Sequence, residues 1–154
     1  MLQVVQRGVK WGEVVFLGNY EVRVDHKGRL AIPTKFREAF HDGLVLSCGF
    51  DKCLIMYTIT EWKNIAEKYS SLPMTQRNPR MLALFTFSGA FDLELDRQGR
   101  IIIPPALRQY ADINDEVIIA ASNTNLQIWA KESWVVMKQY MAEHAAEIAE
   151  AVEV

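Results

Sequence analysis

The chain has 154 residues, half of them hydrophobic and 23% charged, with a formal net charge of −2. This is an ordinary globular mix, long enough for one compact domain or two small ones sharing a core, and far from the disordered class. No apolar run approaches the roughly 18 residues of a membrane span, and the start shows no basic segment followed by an apolar core and a cleavage site. A cytoplasmic protein with no membrane partner is the expectation.

In chain order, residues 1–15 form an N-terminal extension that matches nothing later in the sequence. They are expected to pack poorly and to reflect a mispredicted start, with initiation at Val15. From Gly18 onward the chain repeats itself. The segment Asp25 to Pro33 (DHKGRLAIP) returns as Asp96 to Pro104 (DRQGRIIIP) 71 residues later. In the same register Gly18 meets Gly89, Tyr20 meets Phe91, Phe36 meets Leu107 and Arg37 meets Arg108. After one inserted residue, Cys53 to Tyr57 faces Asn125 to Trp129, and Trp62 and Trp134 take equivalent places. Two diverged copies follow, 18–68 and 89–140, with a helical linker over 69–88 and a tail over 141–154.

Each copy parses as strand, tight turn, strand, short helix, two strands and a longer helix. Tyr20 to Val24 and Phe91 to Leu95 alternate apolar and polar residues, the mark of a half-buried strand. Asp25-His-Lys-Gly28 and Asp96-Arg-Gln-Gly99 then read as short hairpin loops, with Asp capping the turn and Gly taking positive φ. Arg29 to Ile32 and Arg100 to Ile103 are the returning strands. Pro33 and Pro104 end them and open short helices, where a missing amide donor is harmless. Leu44 to Cys48 and Val117 to Ala121 are further strands. Glu61 to Tyr69 and Arg80 to Phe87 read as helices, with breaks at Ser70 to Pro73 and at Pro79. Lys131 to Glu150 reads as one long helix whose Trp134, Met137, Met141 and Ala145 form an apolar stripe suited to a core or subunit contact. A unit of about 45 residues with bare strand edges buries too little surface alone. The expected fold is therefore α+β: two tandem ββαββ-type repeats interlocked around one barrel-like core, with flanking helices and a C-terminal helix.

Charge is unevenly spread. Asp25 to Glu38 holds four Lys/Arg against two acids, and Asp96 to Arg108 three Arg against one acid. The stretch from Lys131 onward has two Lys against five Glu. A basic body with an acidic tail permits nucleic-acid binding despite the average charge. The two cysteines, Cys48 and Cys53, read as buried free thiols, and His26, His41 and His144 supply no metal-ligand spacing. No motif calls for a metal or cofactor.

Both copies carry Asp-x-x-Gly-Arg at a hairpin tip. Turn geometry accounts for Asp25, Gly28, Asp96 and Gly99. It does not require Arg29 and Arg100, whose guanidinium forks suit phosphate or the O6/N7 edge of guanine. The competing role for the arginines is to pair with the turn aspartates. His26, Lys27 and Arg97 add positive charge at the same tips. Enzyme readings fare worse. No phosphate-binding G-x-x-x-x-G-K loop, nucleophile elbow or H-E-x-x-H motif is present. The duplicated aspartates sit beside arginines that would lower both pKa values rather than separate them.

The doubled D-x-x-G-R-x-x-x-P pattern, its spacing, and the linking NPRMLALFTFSGAF (Asn78 to Phe91) resemble the MraZ family of AbrB-like, swapped-hairpin transcription regulators. The resemblance covers most of the chain from Phe16 to about Tyr140. It implies an intramolecular swapped-hairpin β-barrel. It also implies a nucleoid-associated regulator, leaning towards repression, that binds direct repeats in double-stranded promoter DNA upstream of the division and cell-wall gene cluster. A ring-like homo-oligomer is the implied assembly. The family's DNA-contacting arginine carries over to Arg29 in the first copy, and the matching position in the second copy is Arg100. The basic residue before the glycine carries over to Lys27 only, since Gln98 stands in the second copy, which favours the first tip slightly. The rival reading is an AbrB-like antitoxin or protein-interaction module.

Overall fold

A computed structural model describes residues 15–153. The expectations about the N-terminal extension fall almost wholly on residues 1–14, outside the described residues. The first copy contributes β1 (Asn19–Arg23), β2 (Arg29–Ala31), α1 (Thr34–Arg37) with a 3-10 turn to Phe40, β3 (Leu44–Cys48), β4 (Leu54–Thr58) and α2 (Ile59–Ser70). α3 (Arg77–Ser88) links it to the second copy, which repeats the order as β5 (Phe91–Leu93), β6 (Arg100–Ile102), α4 (Pro105–Tyr110), β7 (Glu116–Ser122), β8 (Asn125–Ala130) and α5 (Lys131–Ala151).

The copies interlock by exchanging strands. The main sheet has six strands in the order β1-β7-β8-β4-β3-β5, so the first strand of each copy adds to the other copy's sheet. β1 runs antiparallel to β7 (Asn19 opposite Ala120, Arg23 opposite Glu116), and β5 runs antiparallel to β3. The returning strands β2 and β6 pair with each other as a separate two-stranded ribbon. Two sequence expectations need correction here. The Asp-x-x-Gly turns form the short loops expected, but the strands they join do not go on to pair within a copy. Beyond the bridge from Val24 to Leu30, β1 and β2 diverge to partners in the other copy. Nor, among the described residues, does the sheet close into a barrel, since β1 and β5 remain its edges.

A pseudo-two-fold axis relates the halves. It passes between β4 and β8, where Leu54 faces Ile128 and Met56 faces Leu126, and between Leu30 and Ile101 of the ribbon. The ribbon lies on the sheet. Leu30, Ile32, Ile101 and Ile103 join Leu44, Leu46, Leu54, Met56, Val117, Ile119, Leu126 and Ile128 in one buried cluster. Phe16 closes one end, stacked on Phe40 and edge-on to Phe36. The helices cover the other face and the flanks in a duplicated manner. Trp62 of α2 packs on Tyr57, and Trp134 of α5 packs on Trp129, at positions the repeat equates. Trp134 and Met137 serve a small second cluster with Cys53, Ile118 and Ala120, while Met141 further along α5 is partly exposed and outside it.

Pro79 does not break α3. It is the third residue of the helix, where its missing amide would have had no intrahelical partner. Among the described residues, no helix is long and apolar enough to cross a membrane.

The ribbon's two faces should respond differently to truncation. Leu30, fully buried, lies over the centre of the sheet, whereas Ile102 is 60% exposed. Leu30→Ala is expected to cost about 2–5 kcal/mol of unfolding free energy. Ile102→Ala is expected to stay within about 0.5 kcal/mol. Urea denaturation followed by circular dichroism measures both.

Candidate nucleic-acid interface

The two turns are built alike, bond for bond. In the first, the Asp25 carboxylate accepts hydrogen bonds from the amides of Lys27 and Arg29, each at 2.9 Å, and from Arg29 Nε at 2.6 Å. In the second, Asp96 accepts from the amides of Gln98 and Arg100 and from Arg100 Nε, all at 2.9 Å. The Gly28 amide donates to the Asp25 carbonyl at 2.9 Å, and the Gly99 amide to the Asp96 carbonyl at 3.0 Å. Gly28 (φ +79°) and Gly99 (φ +75°) occupy the left-handed region that the turn demands. The aspartate is thus the organiser of each turn, and the arginine that follows is tethered to it.

The tether fixes the arginine without enclosing it. Each aspartate takes the Nε edge, and the ion pairs stay partly exposed, with the arginine side chains 26% and 28% accessible. Among the described residues no second carboxylate reaches either guanidinium. Three backbone and side-chain donors converge on each carboxylate. The amide of Arg29, foremost, together with its guanidinium and the Lys27 amide, holds Asp25 down to about 2 from 3.8. The Arg100 amide and guanidinium lower Asp96 in the same way. Both shifts agree with the expectation from arginines beside the duplicated acids.

Pairing of β2 with β6 then sets both arginines on one face of the ribbon. Arg29 faces Ile102, Leu30 faces Ile101 and Ala31 faces Arg100. Opposed residues in an antiparallel pair share a face. Leu30 and Ile101 therefore point into the core, while Arg29, Ala31, Arg100 and Ile102 line the outer face. Arg29 and Arg100 are diagonal neighbours there, about 7–8 Å apart at the backbone. His26, Lys27, Arg97 and Gln98 are exposed on the turns at the two ends of the ribbon. Pro33 and Pro104 immediately precede α1 and α4 and send the chain off the ribbon into those helices.

Two further arginines belong to this region and were not singled out from the sequence. Arg37, the last residue of α1, lies against Gly99 of the opposite turn, and Arg108 of α4 lies against Gly28. The signal was available, because the repeat register equates Arg37 with Arg108. Cys48 and Cys53 are free, and burial pushes the Cys53 thiol up to about 11, so it stays protonated. Among the described residues, no group of three His, Cys, Asp or Glu could hold a metal ion.

Comparison with known proteins bears on this geometry. The sequence model of the MraZ family, described as "MraZ protein, putative antitoxin-like", matches residues 15–85 and again 86–153. The chain belongs to the MraZ family. A relative from Herpetosiphon aurantiacus, named Transcriptional regulator MraZ, is 45% identical over 138 residues, which is 90% of this chain and 96% of the relative. Bearers of the same name from Roseiflexus sp. and Roseiflexus castenholzii are 48% and 46% identical over 120 residues, 78% of this chain and 84% of theirs. The duplication read from the residues is thus the tandem arrangement of the MraZ family, and the names its relatives carry are those of regulators, not enzymes.

The depressed aspartates give a pH prediction. A carboxylate lowered in the folded state stabilises the fold above its unfolded value, and that contribution is lost as pH falls through the folded value. For Asp25 the window runs from 3.8 down to about 2. Carbon-13 titration should place the Asp25 midpoint near that lower limit and Asp96 below its ordinary value. Asp25→Asn should lower the melting temperature at pH 7 and flatten its fall across the window.

Proposed function

We propose that this chain is a DNA-binding transcriptional regulator that presents the outer face of the β2–β6 ribbon to the major groove of double-stranded DNA. The observation that carries the reading is the pair of tethered arginines, Arg29 and Arg100, diagonal to each other on the outer face of a two-stranded ribbon. A major groove admits such a ribbon, and an arginine fork matches guanine O6 and N7. Tethering by Nε leaves the other edge of the guanidinium to point outward, so less freedom is lost on binding. Ile102 offers apolar contact beside them, and Lys27, His26 and Arg97 supply phosphate contacts at the rims.

One subunit provides few cations and carries a net negative charge, so its single-site affinity should be weak and salt-sensitive. A ring-like homo-oligomer that sets several ribbons on promoter direct repeats raises avidity by about 10²–10⁴ without new contacts. The apolar outer face of α3 supports self-association, with Met81 and Leu84 exposed and Phe85 stacked on Phe50. The acidic end of α5 then faces away from the duplex. In this reading the protein is cytoplasmic and nucleoid-associated, and it represses the division and cell-wall gene cluster.

A second reading, an antitoxin or protein-interaction module, draws on Val136, Tyr140 and Ile148, exposed along α5, and on the family's description. A pull-down yielding a stoichiometric toxin would favour it.

Gel shifts on DNA upstream of the chain's own gene test the main reading. Arg29→Ala and Arg100→Ala should each lose about 1–3 kcal/mol of sequence discrimination. Lys27→Ala should weaken all duplexes alike and reduce the salt slope by about one. Unchanged affinity in the Arg29→Ala/Arg100→Ala double variant, with the fold intact by circular dichroism, would refute it.

A further inference from the structure

Arg37 and Arg108 stand where the two copies meet, and the DNA contacts proposed above make no use of them. Arg37 belongs to the first copy yet covers the turn of the second. A Cβ built at Gly99 would overlap its Nε, Cδ and Cζ. Arg37 Nε donates to the Ile32 carbonyl at 2.7 Å, and the amide of the same Ile32 donates to the Gly99 carbonyl at 2.9 Å. The end of one copy's returning strand, and the guanidinium rooted on it, thus grip the other copy's turn from two sides. The pseudo-two-fold repeats the device. The Ile103 amide donates to the Gly28 carbonyl at 2.9 Å, and Arg108 Cζ lies 3.1 Å from where a Gly28 Cβ would be. The copies differ at one atom, since the buried Arg108 Nε has no hydrogen-bond partner among the described residues.

Charge pairing does not explain these placements, because among the described residues neither arginine forms a salt bridge. Contact with backbone does. Each glycine must hold a positive φ for the aspartate to collect its donors, and the arginine aimed by that aspartate inherits the turn's geometry. A guanidinium set against the glycine covers it, and a larger residue there would have to displace the arginine.

We propose that Arg37 and Arg108 are positioning residues that each hold the opposite copy's DNA-reading turn, Arg37 the turn bearing Arg100 and Arg108 the turn bearing Arg29. The inference rests on the DNA-binding reading and deepens it. Each reading arginine is then aimed by its own aspartate, within a turn that the other half of the chain braces. Arg37, with its additional anchor on Ile32, holds its turn more firmly than Arg108 does.

The test combines nuclear magnetic resonance of the free protein with binding to DNA upstream of its gene. In the free protein, Arg37→Ala should shift the Gly99 amide and the Arg100 Nε–H while leaving Gly28 and Arg29 in place. On DNA, Arg37→Ala should weaken binding about tenfold, the size of one well-made arginine contact. Arg37→Lys should lose nearly as much, because an ammonium keeps the charge but cannot lie flat on the glycine. Adding Arg100→Ala to Arg37→Ala should cost little more, whereas adding Arg29→Ala should cost its full amount.

Rescue by Arg37→Lys, with a shallower salt dependence for Arg37→Ala, would overturn the proposal by marking a direct phosphate contact. So would unmoved Gly99 and Arg100 signals. Failure of the DNA reading looks different: Arg29→Ala and Arg100→Ala would bind as wild type, and the free-protein spectra would still decide the brace. Should Arg37→Ala not fold, the spectra of Arg37→Lys carry the same decision.

Discussion

Three residue pairs between β2 and β6 hold the molecule's functional geometry together. They bury Leu30 and Ile101 against the sheet, and by the same alternation they turn Arg29 and Arg100 outward. Period-two geometry permits no compromise, since a slip of one residue would bury both guanidinium groups and expose the core. The strand exchange makes this pairing obligatory. Each copy sends its first strand to the other's sheet, so among the described residues its returning strand finds no strand partner in its own half. Duplication therefore supplies more than a second Asp-x-x-Gly-Arg turn. It supplies the missing side of the ribbon on which both turns stand.

The ion pairs of the two turns serve orientation more than stability. They are partly exposed, and ion pairs in contact with water contribute little net stabilisation. Their value lies in geometry, since one carboxylate gathers two backbone amides and a guanidinium edge in each turn. The low pKa of Asp25 expresses the same convergence of donors. The pairing that the sequence offers as a competitor to nucleic-acid contact is thus compatible with it: the aspartate restrains the arginine by one edge and leaves it at the surface.

Local elements were legible because they depend on local chemistry. Alternation marked β1 and β5, Asp-x-x-Gly marked the turns, and the doubled register related Trp62 to Trp134 before either was placed. Partner choice was not legible. A strand that pairs within its copy and one that pairs across copies carry the same alternation, so Tyr20 to Val24 read as half of a hairpin. The open sheet was hidden for a related reason, as closure depends on strand geometry that a short alternating segment does not encode. Pro79 misled because a proline in the first turn of a helix looks, in sequence, like one that ends it. Arg37 and Arg108 were visible as a matched pair, but their contact with the opposite glycines exists only once the ribbon has formed.

The central claim is that the outer face of this ribbon is where nucleic acid binds, as proposed for this member of the MraZ family. The most direct measurement is a titration of isotope-labelled protein with a duplex from its own promoter region, following backbone amides and arginine Nε–H signals. The account predicts that perturbations centre on Arg29 to Ala31, Arg100 to Ile102 and the two turns, with α5 unaffected. Perturbations confined to α3 or α5, with both arginine Nε–H signals unmoved, would contradict it.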